Sequence, residues 1–401
     1  MNDMFYLMNG DSPVLTLESS EALGYTSFRV KERHSDYLPY GFASPDEWIE
    51  SRQIAKHRKQ IRKMMREWGL DDRLGFIDFT HCASLTDAFW MKRADSPLTW
   101  EHVNLYRNEF NDVVAHLAFD GAGLYGKQLD TTTPELATSG SFEKCWKRTD
   151  KGIFLYKRGQ EGTINVGTEP HSEKLTSDLL DAMQINHVRY ELIIYHNRIA
   201  SSCPIFTTEN EGFITFAAYT GKRLSNPKEI MDTIGSVTDE NRFREMVVAD
   251  AISLNVDRHQ GNFGFMVDNA TGKITGFAPL FDHNLSQLPG LIQTDYVDEY
   301  LAGQGPRIGD DFVRMAKAVM TPRLKSTLIN LKGFDYENPG FDYPDWKIET
   351  LNRLKDRHID LILGRGPTYA MGREPKQTRP LPDISGIDLS EGEDPSAPFT
   401  L

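Results

Sequence analysis

Between Trp100 and Ala118 the apolar positions Val103, Tyr106, Phe110, Val113, Val114 and Leu117 recur every three or four residues after Thr99. This spacing predicts one amphipathic helix with Thr99 as its N-cap. A second helical pattern covers Pro45–Trp68, while residues 25–43 (YTSFRVKERHSDYLPYGFA) read as aromatic and turn-rich. Residues 1–130 are therefore expected to form a mainly helical N-terminal accessory domain, closed by the glycine-rich bend DGAGLYG at 120–126.

From about Thr131 the pattern shortens. GIFLYKRG (152–159), VRYELIIYH (188–196), RIASSCPIF (198–206) and GFITFAAY (212–219) are short apolar runs bounded by turn residues and predict strands. Between the first two, HSEKLTSDLLDAMQINH predicts a helix with Leu175, Leu179 and Met183 on one face. After Pro227 the helical period returns in RFREMVVADAISLN, FVRMAKAVM and WKIETLNRLKDRHIDLIL. The order describes a small β-rich lobe at 131–226 and a helical lobe at 227–365, an α+β class. Residues 366–401, rich in Pro, Gly, Ser and acidic groups, predict a flexible tail.

Composition narrows the field. The 401 residues are 39% hydrophobic and 11% aromatic, enough for sizeable cores, and no apolar run is long enough to span a membrane. No secretory signal pattern opens the chain, so a cytoplasmic location with no membrane partner is expected. Cys82, Cys145 and Cys203 show no CxxC spacing and read as small buried hydrophobes. The net charge of −13 argues against extensive nucleic-acid binding. The basic segment 56–68 (KHRKQIRKMMREW) is the one place where local contact with nucleic acid or an acidic protein would be expected.

The chemistry concentrates in DRHQGNFG (257–264), followed by APLFDH (278–283). Asp257 ends a helical run, where a carboxylate can accept the proton of an attacking hydroxyl. Asn262 and Asp282 offer an amide oxygen and a carboxylate suited to Mg²⁺ on ATP phosphates. Arg258 and His259 are expected to brace the loop, with Gly261 and Gly264 letting it turn tightly. The intervening FGFMVDNATGKITGFAPLFD predicts a hairpin, strands at 263–267 and 273–278, that returns Asp282 to Asn262. A metal hydrolase is disfavoured because HExxH spacing is absent. Lys157, on an otherwise apolar strand, is the candidate for the ATP phosphates. Glu173 either pairs with that lysine or complements a helix N-terminus. The backbone around Ser139, Gly140 and Ser141 is a candidate phosphate nest, although it is neither GxGxxG nor a Walker loop.

From about Pro134 to Leu288 these motifs resemble the HipA-like serine/threonine kinases and, more distantly, the phosphatidylinositol 3-/4-kinases that share a DRHxxN loop. The matching pieces are SGSFEKCW, LYKRG, the helix bearing Glu173, DRHQGNFG and APLFDHNLS. The resemblance implies a bilobal protein-kinase-like fold with Asp257 as catalytic base and Asn262 and Asp282 as Mg²⁺ ligands. It also implies Lys157 as the ATP lysine and CPIFTT (203–208), with Phe206, as the hinge that meets adenine. ATP and Mg²⁺ would be the cofactors, and Ser or Thr on a protein substrate the acceptor. Autophosphorylation among Thr138, Ser139 and Ser141, a toxin role and an antitoxin partner are further implications. No glycine follows Asp282-His283, which departs from DFG-type kinases. A pseudokinase or nucleotide-regulated scaffold is the alternative reading. Against it, Lys157, Asp257, Asn262 and Asp282 are all present.

Overall fold

The computed structural model describes residues 3–53, 66, 72–120, 133–134, 143–160 and 167–365. The candidate phosphate nest at 138–141, the 366–401 tail, most of the 120–126 bend and all of the basic 56–68 segment except Arg66 lie outside the described residues.

The chain opens with a sheet. Strands β1 (Met4–Asn9), β2 (Ser12–Ala22), β3 (Tyr25–Arg33) and β4 (Phe89–Arg93) form an antiparallel sheet in the order β3-β2-β1-β4. The expectation of a mainly helical N-terminal segment is corrected by this sheet. Phe5, Leu7, Leu15 and Leu17 alternate with more exposed neighbours and enter a core with Ile49, Phe76 and Ile77 from helices Pro45–Ser51 and Arg73–Thr80. That alternation is the period-two signature of a strand, and β3 then occupies the first part of the 25–43 stretch read as turn-rich.

The predicted Trp100–Ala118 helix is interrupted. It forms as Trp100–Val103, with Thr99 as N-cap, and Asp112–Asp120. The break is made by asparagines: Asn104 Oδ1 accepts the Tyr106 N–H at 2.7 Å, and Asn111 Oδ1 accepts the Val114 N–H at 3.2 Å. Such side-chain bonds offer the backbone an alternative to the helical ladder.

A second antiparallel sheet, in the order β5-β6-β8-β7, joins β5 (Lys144–Thr149), β6 (Gly152–Arg158), β7 (Glu191–Tyr195) and β8 (Arg198–Pro204). Helix Glu169–Ala182 packs on it, with Leu175, Leu179 and Met183 buried as the spacing predicts. A third sheet, β11-β10-β9, combines β9 (Glu211–Thr215) with the predicted hairpin, formed as β10 (Gly264–Asp268) and β11 (Ile274–Phe277). The GFITFAAY run is a strand only to Thr215, whose hydroxyl accepts the Ala218 N–H and starts helix Phe216–Thr220. Gly264 serves closeness rather than turning: a Cβ there would stand 2.0 Å from the Ile214 carbonyl oxygen.

Helices Pro227–Gly235, Asn241–Ser253, Phe312–Ala318, Pro322–Leu331 and Asp345–Ile362 build the second lobe around Phe243, Met246, Val248, Leu328, Leu351 and Ile359. The architecture is a mixed α+β, bilobal one, with the β5–β8 sheet facing the helical lobe. No helix among the described residues is long and apolar enough to cross a membrane.

Candidate active site

Lys157 lies near the end of β6 and is 8% exposed. Its Nζ donates to Glu173 Oε1 at 2.7 Å and to Asp282 Oδ1 at 2.9 Å. Glu173 is 1% exposed and belongs to helix Glu169–Ala182; its other oxygen accepts from the Ser201 hydroxyl of β8. The geometry therefore resolves the two readings of Glu173 in favour of the lysine partner. Burial opposes the charge on Lys157, but the Asp282 and Glu173 carboxylates outweigh it and raise its pKa well above the ordinary lysine value. Burial likewise works against ionised Asp282, yet the charges of Lys157 and Lys144 hold its carboxyl well below the usual range.

Asp257 follows helix Asn241–Ser253, which stops at Leu254 in the left-handed conformation (φ 56°). The Asp257 side chain is 21% exposed, and its Oδ1 accepts from Arg307 Nη2 at 2.9 Å. Asn262 is buried. Its Nδ2 donates to the Asp257 carbonyl at 3.0 Å, whereas its Oδ1 has no hydrogen-bond partner among the described residues. An orphaned buried acceptor is costly unless something else satisfies it.

Arg258 joins these pieces. It is 2% exposed and forms a fork on Asp250 of helix Asn241–Ser253, Nε to Oδ2 at 3.0 Å and Nη2 to Oδ1 at 3.1 Å. Its Nη1 donates to the carbonyls of Asn262 (2.8 Å) and Phe281 (2.7 Å), and its Nη2 to His283 Nδ1 at 3.1 Å. The planar five-donor guanidinium suits this task, which lysine could not perform. One buried side chain thus fixes the Asn262 segment against the Asp282 segment. His259 has a local role, accepting the Gly261 N–H at 3.0 Å.

Beside this cluster lies a narrow cleft walled by Trp146, Leu155, Val188, Phe206 and Phe281, with Lys144 and Lys157 among its lining. Cys203, Pro204 and Ile205 complete the wall that leads to Phe206. An apolar slot with a few convergent polar groups suits a flat heterocycle whose anionic part lies over the lysines.

Tyr190 and Arg307 escaped the sequence reading, and Lys144, read there within the SGSFEKCW loop candidate, is placed differently. Lys144 looked like part of a loop but opens β5 and stands opposite Lys157 in the β5–β6 register. Two buried lysines side by side repel unless anions lie between or beyond them. Tyr190 is buried beneath the Lys157 ammonium, and its hydroxyl accepts the Asp282 N–H at 3.1 Å. It sits there because residues 186–188 pair with Leu280 rather than extending β7. Arg307 comes from a loop fifty residues beyond Asp257 and carries no local signal.

Two lobes, a β-rich one whose sheet lysine pairs with the glutamate of its helix and a helical body bearing the DRHxxN loop, define a protein-kinase-like fold. The chain is similar to HipA of Shewanella oneidensis MR-1, solved in a toxin–antitoxin complex with HipB and operator DNA. That likeness has a TM-score of 0.52 at 11% identity and spans 90% of this chain and 97% of that one. A second similar structure is the Helicobacter pylori proinflammatory kinase CtkA, at 19% identity over 55% of this chain and 93% of that one, TM-score 0.42. No family model matches the chain, and no curated protein matches it in sequence.

Proposed function

We propose that the protein is a Mg·ATP-dependent serine/threonine protein kinase of HipA-like type. The observation that carries this reading is the convergence of Lys157, Glu173 and Asp282 within hydrogen-bond distance, joined through Arg258 to the segment bearing Asn262. Kinases need a lysine–glutamate pair on the nucleotide side together with a metal-binding Asp and Asn. The residues present fit a magnesium ion: Asn262 Oδ1 is a buried neutral oxygen without a partner among the described residues, and Asp282 is kept ionised by its lysines. These two would hold it, and the ion would neutralise charge developing on the β- and γ-phosphates.

The chain's own groups do the remaining work. Lys157 and Lys144 receive the phosphates, and the cleft ending at Phe206 takes the adenine. Asp257 accepts the acceptor hydroxyl's proton as its oxygen bonds the γ-phosphorus and the bond to the ADP oxygen breaks. Arg307 holds the Asp257 carboxylate in place before substrate arrives. Ser139, Gly140 and Ser141 complete the phosphate contacts, and a serine or threonine among residues 138–141 is a site of self-phosphorylation. Residues 131–226 and 227–365 are the two kinase lobes, 1–130 an accessory unit and 366–401 a tail. By analogy with the HipA–HipB complex, a toxin role, a cytoplasmic location and an antitoxin partner are proposed.

The test is incubation with γ-labelled ATP and Mg²⁺, followed by mass spectrometry of the peptide spanning 138–141. Wild type should take up label. Asp257→Ala should lose transfer by about 10²–10⁴-fold, the usual worth of a general base, while still binding ATP. Equal labelling of both proteins would remove Asp257 from the chemistry. ATP binding by wild type without transfer to itself or to any added protein would favour a nucleotide-regulated scaffold.

A further inference from the structure

Away from the cleft, three side chains capable of binding a metal meet at one end of the β5–β8 sheet. His116 and Asp120 lie one turn apart on helix Asp112–Asp120, and His196 opens the two-residue turn between β7 and β8. Asp120 Oδ2 accepts from His196 Nδ1 at 2.7 Å and stands 3.1 Å from His116 Nε2, and the three atoms lie within 4.8 Å of one another. Both imidazoles thus crowd onto a single carboxylate oxygen.

The rings are held in place from outside the trio. His196 stacks on Tyr195 (3.9 Å between centroids, 22°), Phe119 meets it edge-on at 5.9 Å, and the two imidazoles lie 4.3 Å apart. His196 has φ 47° and Asn197 φ 58°, so a histidine occupies a turn position where Asn or Gly is the usual residue. Asp120 is 17% and His196 29% exposed, whereas His116 is half exposed and leaves an open side for entry and a further ligand.

We propose that His116, Asp120 and His196 form a binding site for a divalent transition-metal ion of the zinc type. Two imidazole nitrogens and one carboxylate oxygen form a donor set that zinc accepts, with a water in the fourth position. Binding would replace the His196 N–H now directed at Asp120 by a cation shared with His116, and would tie the end of helix Asp112–Asp120 to the β7–β8 turn. The site shares no residue with the nucleotide cleft.

The experiment is titration of untagged, full-length protein with Co²⁺ and then Zn²⁺, followed by visible absorption and by thermal unfolding. One equivalent of Co²⁺ should give four-coordinate d–d bands without thiolate charge transfer, since Cys82, Cys145 and Cys203 are buried elsewhere. Zn²⁺ should displace it and raise the unfolding midpoint, because a ligand bound only by the folded state stabilises that state. His116→Ala, and His196→Asn, which keeps a residue tolerant of the left-handed turn, should each weaken binding by about tenfold or more. Saturable binding unchanged in both variants, or no binding at millimolar Co²⁺ and Zn²⁺, would overturn the proposal and leave a hydrogen-bonded trio.

Discussion

Replacing Lys157 by Met keeps the apolar stem and removes the ammonium from between two carboxylates. Glu173 Oε1 and Asp282 Oδ1, now 2.7 and 2.9 Å from Nζ, would face each other with no cation between them. Removing one member of a buried ion pair typically costs about 3–5 kcal/mol. The fully buried Glu173 can relieve part of this by taking up a proton, and burial already raises its pKa, against the pull of Lys157. A carboxyl whose folded-state pKa is raised stabilises the fold fully below its unfolded-state pKa and loses that contribution as pH rises through the folded value. The cost of Lys157→Met should therefore be smallest near pH 5 and grow toward pH 8, by about 1.4 kcal/mol for each pH unit over which Glu173 titrates. Urea denaturation of wild type, Lys157→Met and Lys157→Met/Glu173→Gln at pH 5, 6.5 and 8 measures this. The double variant should recover much of the loss at pH 8 and little at pH 5. A cost below about 1 kcal/mol, or one equal at all three pH values without recovery in the double variant, would refute the idea that charge compensation organises this site.

Asn262→Ala should raise the Mg²⁺ concentration for half-maximal phosphotransfer several-fold. It should cost only about 1 kcal/mol in denaturation, the worth of the single Nδ2 bond to the Asp257 carbonyl. Arg258→Lys should destabilise by about 3–5 kcal/mol in the same experiment and abolish transfer, because a lysine cannot hold Asp250 and two carbonyls at once. Burial lowers the His171 imidazole to about 4, so its neutral form supports the fold above pH 6.5 and that support is lost as pH falls toward 4. His171→Gln should remove about 3 kcal/mol of the acid destabilisation measured by urea unfolding between those pH values.

What was legible in the chain follows from the range of each interaction. Asp257 and Asn262 share one loop, and Asp282 returns after a short hairpin with the DNATG turn at its tip, so proximity follows from spacing. Lys157 stood out because a lysine on an apolar strand demands a buried anion, and Glu173 lies on the next helix. Lys144 required the β5–β6 register, Tyr190 required the pairing of residues 186–188 with Leu280, and Arg307 required the packing of a distant loop. The N-terminal sheet was missed for another reason. Its solvent face carries Glu18, Arg29, Lys31 and Glu32, so the apolar half of each alternation is sparse and resembles a polar turn region.

Asp282 itself has φ 58°, a left-handed conformation that costs a non-glycine residue roughly 1–2 kcal/mol and persists only where neighbours over-determine it. Here they do so from both lobes. Lys157 and Tyr190 hold its carboxylate and N–H, while Arg258 holds the preceding carbonyl and the following imidazole. His283 is completely buried, and burial together with the Arg258 charge pushes its pKa well below the ordinary histidine value. It is therefore neutral, with Nδ1 accepting from the arginine. In DFG kinases a glycine follows the metal-binding Asp and Phe, and Phe packing distinguishes active from inactive states. On the proposed kinase reading the corresponding positions are His283 and Asn284, both buried, and the first is bonded to the arginine that fixes the Asp257–Asn262 loop. Moving Asp282 out would break the Lys157 pair and pull on the Arg258 bonds to Phe281 and His283 on either side of it. A swing of Asp282 would have to give up its bonds to Lys157 and Tyr190 at once, so on the proposed kinase reading this Asp is held in place rather than poised to move.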